Sequence, residues 1–569
     1  MILRRFKKNR IKNTLVDPDE IFLDSTNLQN FDRQQFEGRI EKPISKKTAA
    51  GLGIFFLIFI LTFLGRLGYL QIKKGEAYYK RSENNTLERA IIFAERGIIY
   101  DRNKKELAWN QKMGHEGGGG SKFGIRAYLK DGFAHLLGYV SYPAQDKSGN
   151  YWQGEFKGID GLEKQYDTIL QGKNGSKIVE RDAYGKIHSE NIVNAPKRGQ
   201  DLITAIDASI QAKLFSLIKE ASQKSTFVGG AGILLDAKNG EVLAVTSYPE
   251  YDPEILSLGK DTKIINGYLA DKRGVFIDRT ISGLYAPGSI VKPIFALGAL
   301  VENIINPKKE ILSIGEISIP NPYIKGEFSV FKDWKAHGWT NMQEALAVSS
   351  DVYFYTIGGG FESQKGLGIS NLEKYARLFG VGEKTGIDLP DEKSGTIPSP
   401  EWKEKNFKGD PWRIGDTYNT SIGQYGFQVT PMEMSRVAAA IANGGTLISP
   451  HIMNLEALPP SGDLVSKLDF NKEYLDIVHE GMRGAVTYGT AVALNVPYVK
   501  VAAKTGTAEL GLAKNKINSW VIGFFPYENP RYVFTILMES GRASGLISAS
   551  SIMRDLLDWM YINTPEYLK

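Results

Sequence analysis

An uncharged, apolar run from Ala49 to Gly65 is the feature that most limits what this chain can fold into. Continued through Arg66 to Leu70, it makes a helix of about 22 residues, roughly 33 Å long, enough for a ~30 Å hydrocarbon core. Its apolar residues lie on all faces, which argues for a membrane span over a buried core helix. Arg66 can reach back to the interface, and Tyr69 suits the same level. No small-residue cleavage site follows the run, so it does not read as a removed signal peptide. Arg4, Arg5, Lys7, Lys8, Arg10 and Lys12, then Lys42, Lys46 and Lys47, precede it and favour a cytoplasmic N-terminus. Lys73, Lys74, Lys80 and Arg81 follow it, but a large domain is translocated largely regardless of its charge. The expectation is a cytoplasmic tail over 1–47, a transmembrane helix over 48–70, and everything beyond outside the membrane.

Composition removes several function classes. A formal net charge of +6 is small for 569 residues and is no nucleic-acid signature. With no cysteine there is no disulfide, no thiolate nucleophile and no cysteine-based metal site. Six histidines, none in an H-E-x-x-H pattern, make a metal hydrolase a poor reading.

Residues 71–200 have modest hydrophobicity, many glycines and short strand-like runs, among them Ala90–Ala94 and Gly97–Tyr100, with a turn at Asp101-Arg102-Asn103. Within them Gly117-Gly118-Gly119-Gly120-Ser121 is a flexible-linker string without low-complexity surroundings. It reads as an engineered splice, at 116–121, in place of a removed subdomain. From 201 to 569 the texture changes. Asp207 opens a helical pattern with Ile210, Leu214, Leu217 and Ile218 on one face. Ala231–Asp236 and Glu241–Val245 read as a hairpin around Asn239-Gly240. Ser519–Phe525 and Tyr532–Met538 read as a closing strand pair. The fold class predicted is α+β: an antiparallel sheet completed by both ends of the domain, with helices packed on it.

Three strings carry the chemistry. Tyr285-Ala286-Pro287-Gly288-Ser289-Ile290-Val291-Lys292 runs into an apolar helical stretch. Pro287 and Gly288 fit a turn entering a helix, and Lys292 then lies one turn beyond Ser289 on the same face. A serine hydroxyl needs a nearby base to act as a nucleophile. A lysine serves only when neutral, and moving its pKa from about 10.4 to near 7 takes about 4.6 kcal/mol. Helix-end charge and burial both push that way. Next, Met342–Val348 reads as a helix before Ser349-Ser350-Asp351, where Ser349 can relay a proton and Asp351 can hold a lysine or a loop. Third, Val499–Ala503 reads as a strand leading into Lys504-Thr505-Gly506-Thr507. There Lys504 offers a charge and Thr505 and Thr507 hydroxyls for a substrate carboxylate, and Gly506 leaves room for a peptide along the strand edge. A backbone N–H beyond it, with that of Ser289, suits an oxyanion hole. Each string alone has an ordinary structural reading, respectively an exposed helix start, a polar break and a strand ending in a turn.

Together and in this order they resemble the S-x-x-K, S-x-[ND], K-T-G set of the penicillin-binding proteins and serine β-lactamases. Arg96-Gly97-Ile98-Ile99-Tyr100-Asp101-Arg102-Asn103, Asp278-Arg279, Ser421-Ile422-Gly423-Gln424 and Trp520-Val521-Ile522-Gly523-Phe524 extend the resemblance to the class B proteins, over about residues 50 to 560. Asp351, with His337-Gly338-Trp339 before it, is similar to the penicillin-binding protein 2 branch. The resemblance implies a transpeptidase domain over 201–569 on an elongated, strand-rich pedestal over 71–200. It also implies a serine D,D-transpeptidase that cross-links stem peptides of a lipid-linked glycan through a Ser289 acyl-enzyme during cell elongation. β-Lactams would be its inhibitors, and a SEDS-family glycan polymerase and other elongation proteins its partners. Some relatives hold a zinc near the second string with a cysteine among its ligands. Ser350 stands at that place here, so no metal or cofactor is expected and His337 is read as structural. A carboxypeptidase or β-lactamase, and a non-catalytic scaffold or β-lactam sensor, are the competing readings.

Overall fold

The computed structural model describes residues 45–111, 124–147, 151–181, 187–321, 323–454, 465–511, 515–542 and 547–569. The tail up to residue 44 and the Gly-Ser string lie outside the described residues. The chain forms two compact units, one of Met1–Glu88 with Arg181–Gly185, the other of Arg89–Glu180 with Lys186–Lys569.

The first unit carries helix α1 (Lys46–Gly68), 23 residues long and with none of them buried. Its length, about 35 Å at 1.5 Å per residue, is enough to cross a membrane. The Ser45 hydroxyl caps it by accepting the Thr48 N–H at 3.1 Å. Phe55, Phe59 and Phe63, four residues apart, form one aromatic stripe with centroid spacings of 6.4 and 5.4 Å. A π-turn at Tyr69–Lys73 leads to α2 (Gly75–Thr86).

The second unit begins with a small sheet. β1 (Ile99–Tyr100) pairs antiparallel with β2 (Glu106–Gln111), and β2 with β3 (Ile125–Tyr128). β4 (Leu202–Ile203) returns to lie parallel to β1. The segment holding the Gly-Ser string thus joins two neighbouring antiparallel strands, with Gln111 opposite Ile125. Beside them Glu163 is fully buried between two guanidinium groups, Arg96 Nε at 2.5 Å and Arg126 Nε at 2.7 Å. Burial pushes the Glu163 carboxyl up, but Arg126 and Arg96 hold it below the usual range. Removing either cation would strand a buried charge at a cost of about 3–5 kcal/mol.

The main sheet has the order β6-β5-β9-β8-β7 and is antiparallel throughout. β5 (Gly229–Asp236) and β6 (Val242–Tyr248) come from its N-terminal end. β7 (Ala502–Leu510), β8 (Lys516–Phe525) and β9 (Tyr532–Arg542) come from its C-terminal end. This is the sheet closed by both ends that the sequence predicts. Alternate residues serve opposite faces. Leu234, Val521 and Ile536 pack with Ile210, Leu214 and Ile218 of α3 (Ala208–Lys224), and with Ile552 and Leu556 of α9 (Ala549–Asn563). Asp207 caps α3 by accepting the Ser209 and Ile210 N–H groups. A Cβ on Gly232 would come within 2.7 Å of Leu214, so the glycine lets α3 sit close. Ile233, Ile522 and Leu537 face the larger cluster, with Phe295 of α4 (Lys292–Val301), Leu346 of α5 (Met342–Val348), Phe354 of α6 (Asp351–Gly359), Val437 of α7 (Pro431–Ala442) and Val478 of α8 (Lys472–Thr487). Ile99, Leu107 and Tyr128 of the small sheet join this same core.

Two elements differ from expectation. The strand predicted at Ala90–Ala94 is Leu87–Ile92. The strand predicted to end at Ala503 begins at Ala502 and runs on to Leu510, because Lys504 to Leu510 pair with Ile522 to Lys516 of β8.

Candidate active site

Ser289 sits half-buried in a 3₁₀ turn, Gly288–Val291, that opens α4. Gly288 has φ +57°, a left-handed conformation that favours glycine. Its N–H donates to the Gly423 carbonyl at 3.0 Å, and a Cβ on Gly423 would come within 2.2 Å of the Gly288 carbonyl oxygen. The fixed partner explains the glycine in the Ser421-Ile422-Gly423-Gln424 string. On the other side Trp520 Nε1 donates to the Ala286 carbonyl at 3.0 Å, and the Trp520 ring meets Tyr285 edge-on. Two separate segments thus set the turn before any substrate arrives.

Lys292, the first residue of α4, is completely buried. Its ammonium donates to the Ser349 carbonyl at 2.9 Å and to Asp351 Oδ1 at 2.6 Å, and lies 3.4 Å from Ser349 Oγ. The second string is the corner between two helices. Ser349, at φ +59°, ends α5, and the Ser350 hydroxyl caps α6 by accepting the Tyr353 N–H. Burial pushes the Asp351 carboxyl above its ordinary value, against the pull of Lys292.

Lys504 on β7 is also completely buried and donates to Ser349 Oγ at 2.7 Å and to the Thr505 carbonyl at 2.9 Å. Burial, then the charge of Lys292, push its pKa well below that of a free lysine. The structure therefore joins Lys292, Ser349, Asp351 and Lys504 in one hydrogen-bonded cluster drawn from three distant segments. The surface a substrate can reach differs from the sequence reading. Lys504 is covered, whereas Thr505 is half-buried and Thr507 exposed. Gly506 faces the nucleophile turn rather than open space, since a Cβ there would come within 2.8 Å of the Pro287 carbonyl oxygen and 2.9 Å of Ile290.

Sequence reasoning missed Asp333 and Thr490. Asp333 Oδ2 accepts the Ser350 hydroxyl at 2.9 Å and the Val352 N–H at 3.0 Å, so it fixes the corner that carries Ser349 and Asp351. Burial works against its charge, but bonds from His337 and Val352 and the charge of Lys292 bring its pKa down to about 2. His337 Nε2 lies 3.4 Å from Asp333 Oδ1, with both side chains essentially buried. The only sequence signal for Asp333 is its place four residues before His337. Thr490 Oγ1 lies 2.6 Å from Thr505 Oγ1, and no local pattern marks it. Among the described residues no group of three or more His, Cys, Asp or Glu could hold a metal ion.

A half-buried serine on a preset turn, followed by two buried lysines that share a serine, is an arrangement suited to serine acyl transfer of the penicillin-interacting type. Residues 230–558 match the family model of the penicillin binding protein transpeptidase domain, and residues 123–204 that of the penicillin-binding protein dimerisation domain. The chain belongs to the penicillin-binding protein transpeptidase family, in its class B penicillin-binding protein 2 branch. It is 31% identical over 467 residues to the peptidoglycan D,D-transpeptidase MrdA of Acinetobacter baumannii, covering 75% of this chain and 65% of that protein. With the MrdA of Escherichia coli K12 it shares 27% over 622 residues, covering 90% of this chain and 94% of that one. Among solved structures, penicillin-binding protein 2 of Pseudomonas aeruginosa in complex with WCK 5153 aligns at a TM-score of 0.69 and 28% identity, over 85% of this chain and 98% of that chain. The Helicobacter pylori protein in complex with MreC aligns at 0.68 and 26%, over 84% and 100%.

Proposed function

We propose that this protein is a peptidoglycan D,D-transpeptidase of the cell-elongation machinery, with Ser289 as its nucleophile. One observation carries the reading: Lys292, Ser349 and Lys504 converge within hydrogen-bond distance although they come from three distant segments. Their common place is beside the turn that holds Ser289.

Ser289 Oγ attacks the carbonyl of the penultimate D-Ala of a stem peptide, and its proton passes to Lys292. The short Lys292–Asp351 contact supports this role. The 2.6 Å bond to Asp351 Oδ1 holds the Lys292 nitrogen in place to take that proton. The Ser289 N–H and one from the Thr507 end of β7 hold the tetrahedral oxyanion. The terminal D-Ala leaves as its nitrogen takes a proton along Lys504 and Ser349, while Thr505 and Thr507 hold its carboxylate. The acyl group then passes to an amine of a second stem peptide, whose lost proton returns by the same route. β-Lactams enter as acyl donors whose leaving group stays attached.

The same proposal places residues 1–47 in the cytoplasm and the catalytic body outside the membrane. It gives residues 71–200 the role of a pedestal, contacting elongation proteins such as a SEDS-family polymerase. A relative's complex with MreC supports partners of this kind. The test is intact mass spectrometry after penicillin treatment. Wild type should gain one penicilloyl adduct that maps to Ser289, and Ser289→Ala should gain none while unfolding at the same temperature. An adduct mapped to another residue, or undiminished labelling of the variant, would refute the assignment.

A further inference from the structure

Thr490 follows α8 and is held between the second and third strings. Its N–H donates to the Ala347 carbonyl at 3.2 Å, two residues before Ser349. The approach is close, since a Cβ on the preceding Gly489 would come within 2.1 Å of the same carbonyl oxygen. On the other side the Thr505 hydroxyl donates to Thr490 Oγ1 at 2.6 Å. Both threonines are half-buried. Residue 490 is thus tied by its backbone to the end of α5 and by its side chain to β7, the edge strand of the main sheet.

A hydroxyl carries a single proton. That of Thr505 is spent on Thr490, whereas that of Thr490 meets no acceptor among the described residues. The pair therefore ends on a free O–H, and the bond it receives from Thr505 makes that O–H a better donor. Lys504 does not meet a substrate carboxylate directly, because it is completely buried and its nitrogen donates to Ser349 Oγ and the Thr505 carbonyl. Hydroxyl donors along this edge have to make the contact. A carboxylate only accepts hydrogen bonds, so a free O–H suits it.

We propose that Thr490 is a substrate-binding residue: its hydroxyl, with that of Thr505 bonded behind it, donates to the free carboxylate at the end of the donor peptide. The inference rests on the D,D-transpeptidase reading and deepens it, because it routes the Thr505 contribution through a residue outside all three strings. The β-branched Thr490 side chain, on a backbone fixed to Ala347, has little rotamer freedom to lose on binding.

The probes are two thioester acyl donors, alike up to the thioester carbonyl, whose leaving thiol ends in a carboxylate or in the corresponding carboxamide. Ser289 Oγ bonds to the carbonyl carbon, the C–S bond breaks, and the sulfur leaves with the electron pair and takes up a proton. Released thiol is the readout, and the ratio of the two acylation rate constants is the measure. Full-length wild type in detergent should favour the carboxylate about tenfold or more, the size expected of hydrogen bonds to a charged group. Thr490→Val keeps the shape without the hydroxyl and should lower that preference about five- to tenfold, with the carboxamide rate falling much less. Thr490→Ser keeps the hydroxyl and should retain most of the preference. An unchanged preference in Thr490→Val, or a Thr490→Ser variant that behaves like it, overturns the proposal. So do equal losses on both donors, which would mean that Thr490 only braces β7. A wild-type ratio near one overturns it too, since no carboxylate would then be recognised here. Thiol release from neither donor, with no penicilloyl adduct on Ser289, would instead sink the proposed function, and this inference with it.

Discussion

Lys504 carries the most consequential single charge in the site. It is fully buried, and its pKa lies well below that of a free lysine because of burial and the neighbouring Lys292. A base whose folded value is depressed holds fewer protons in the folded state than in the unfolded state between the two pKa values. Stability therefore rises with pH through that window. Below the folded value the chain bears the whole penalty, and near the free-lysine value it bears none. Lys504→Met fills nearly the same volume without the charge. We expect this variant to be about 1 kcal/mol more stable than wild type at pH 7, with the gap closing toward pH 10. We expect penicillin acylation to fall about 100-fold or more, because Ser349 loses its donor. Thermal unfolding across pH, alongside acylation kinetics, checks both halves. A variant less stable than wild type at pH 7 would show that the bonds to Ser349 and Thr505 outweigh the burial of the charge. The motif residues themselves were legible because each bears a functional group that an ordinary core position does not need. Asp333 and Thr490 were not, since an aspartate in a loop and a threonine after a helix satisfy many roles. Only folding reveals that they brace Ser350 and Thr505.

Elements were most legible where local chemistry and tertiary packing agree. Asn239-Gly240 between alternating strands predicts the β5–β6 hairpin, and Asp207 predicts the start of α3. Val499–Ala503 was read as the strand and Lys504 to Thr507 as what it leads into, where Gly506 has little strand preference. The sheet overrides that preference by pairing Lys504 to Leu510 with β8. Long-range ties between elements leave no local trace at all. Glu250, just beyond β6, accepts the Gly132 N–H at 2.8 Å and the Ala134 N–H at 3.1 Å, and so fastens that segment to the main sheet. Burial, only partly offset by these two bonds, pushes its carboxyl up to about 7. An acid whose folded value is raised contributes stability below its unfolded value, near 4.5, and loses it as pH rises through about 7. We expect wild-type stability to fall between pH 5 and pH 8 by up to about 3 kcal/mol from this group. Glu250→Gln should flatten that fall, while starting about 1 kcal/mol lower at pH 5 for want of one acceptor. Urea unfolding at four pH values decides the matter. Parallel curves for the two proteins would mean that Glu250 titrates alike in both states.

At the scale of the whole molecule, the proposed function assigns anchorage to one unit and chemistry to the other. Ser289, Lys292, Ser349, Asp351, Lys504 and their supports all fall in the second unit, whose core runs continuously from Ile99 and Leu107 to Leu537. None of the α1 residues is buried, and the helix exposes a run of apolar side chains that includes its phenylalanine stripe. A chain starting at Leu87 keeps that whole core, and should fold without detergent and be acylated by penicillin within about twofold of the full-length rate. It should also lose something the catalytic site does not supply. An apolar helix gains most by packing against another helix in the bilayer, where close side-chain fit drives association. On the proposed function that partner is an integral-membrane glycan polymerase. Full-length protein should therefore retain the polymerase through affinity purification in detergent, and the chain starting at Leu87 should retain markedly less. Equal retention by both would assign the docking to the body of the second unit and leave α1 as a tether. A shortened chain with slow acylation would show instead that the membrane helix acts on the catalytic turn from a distance.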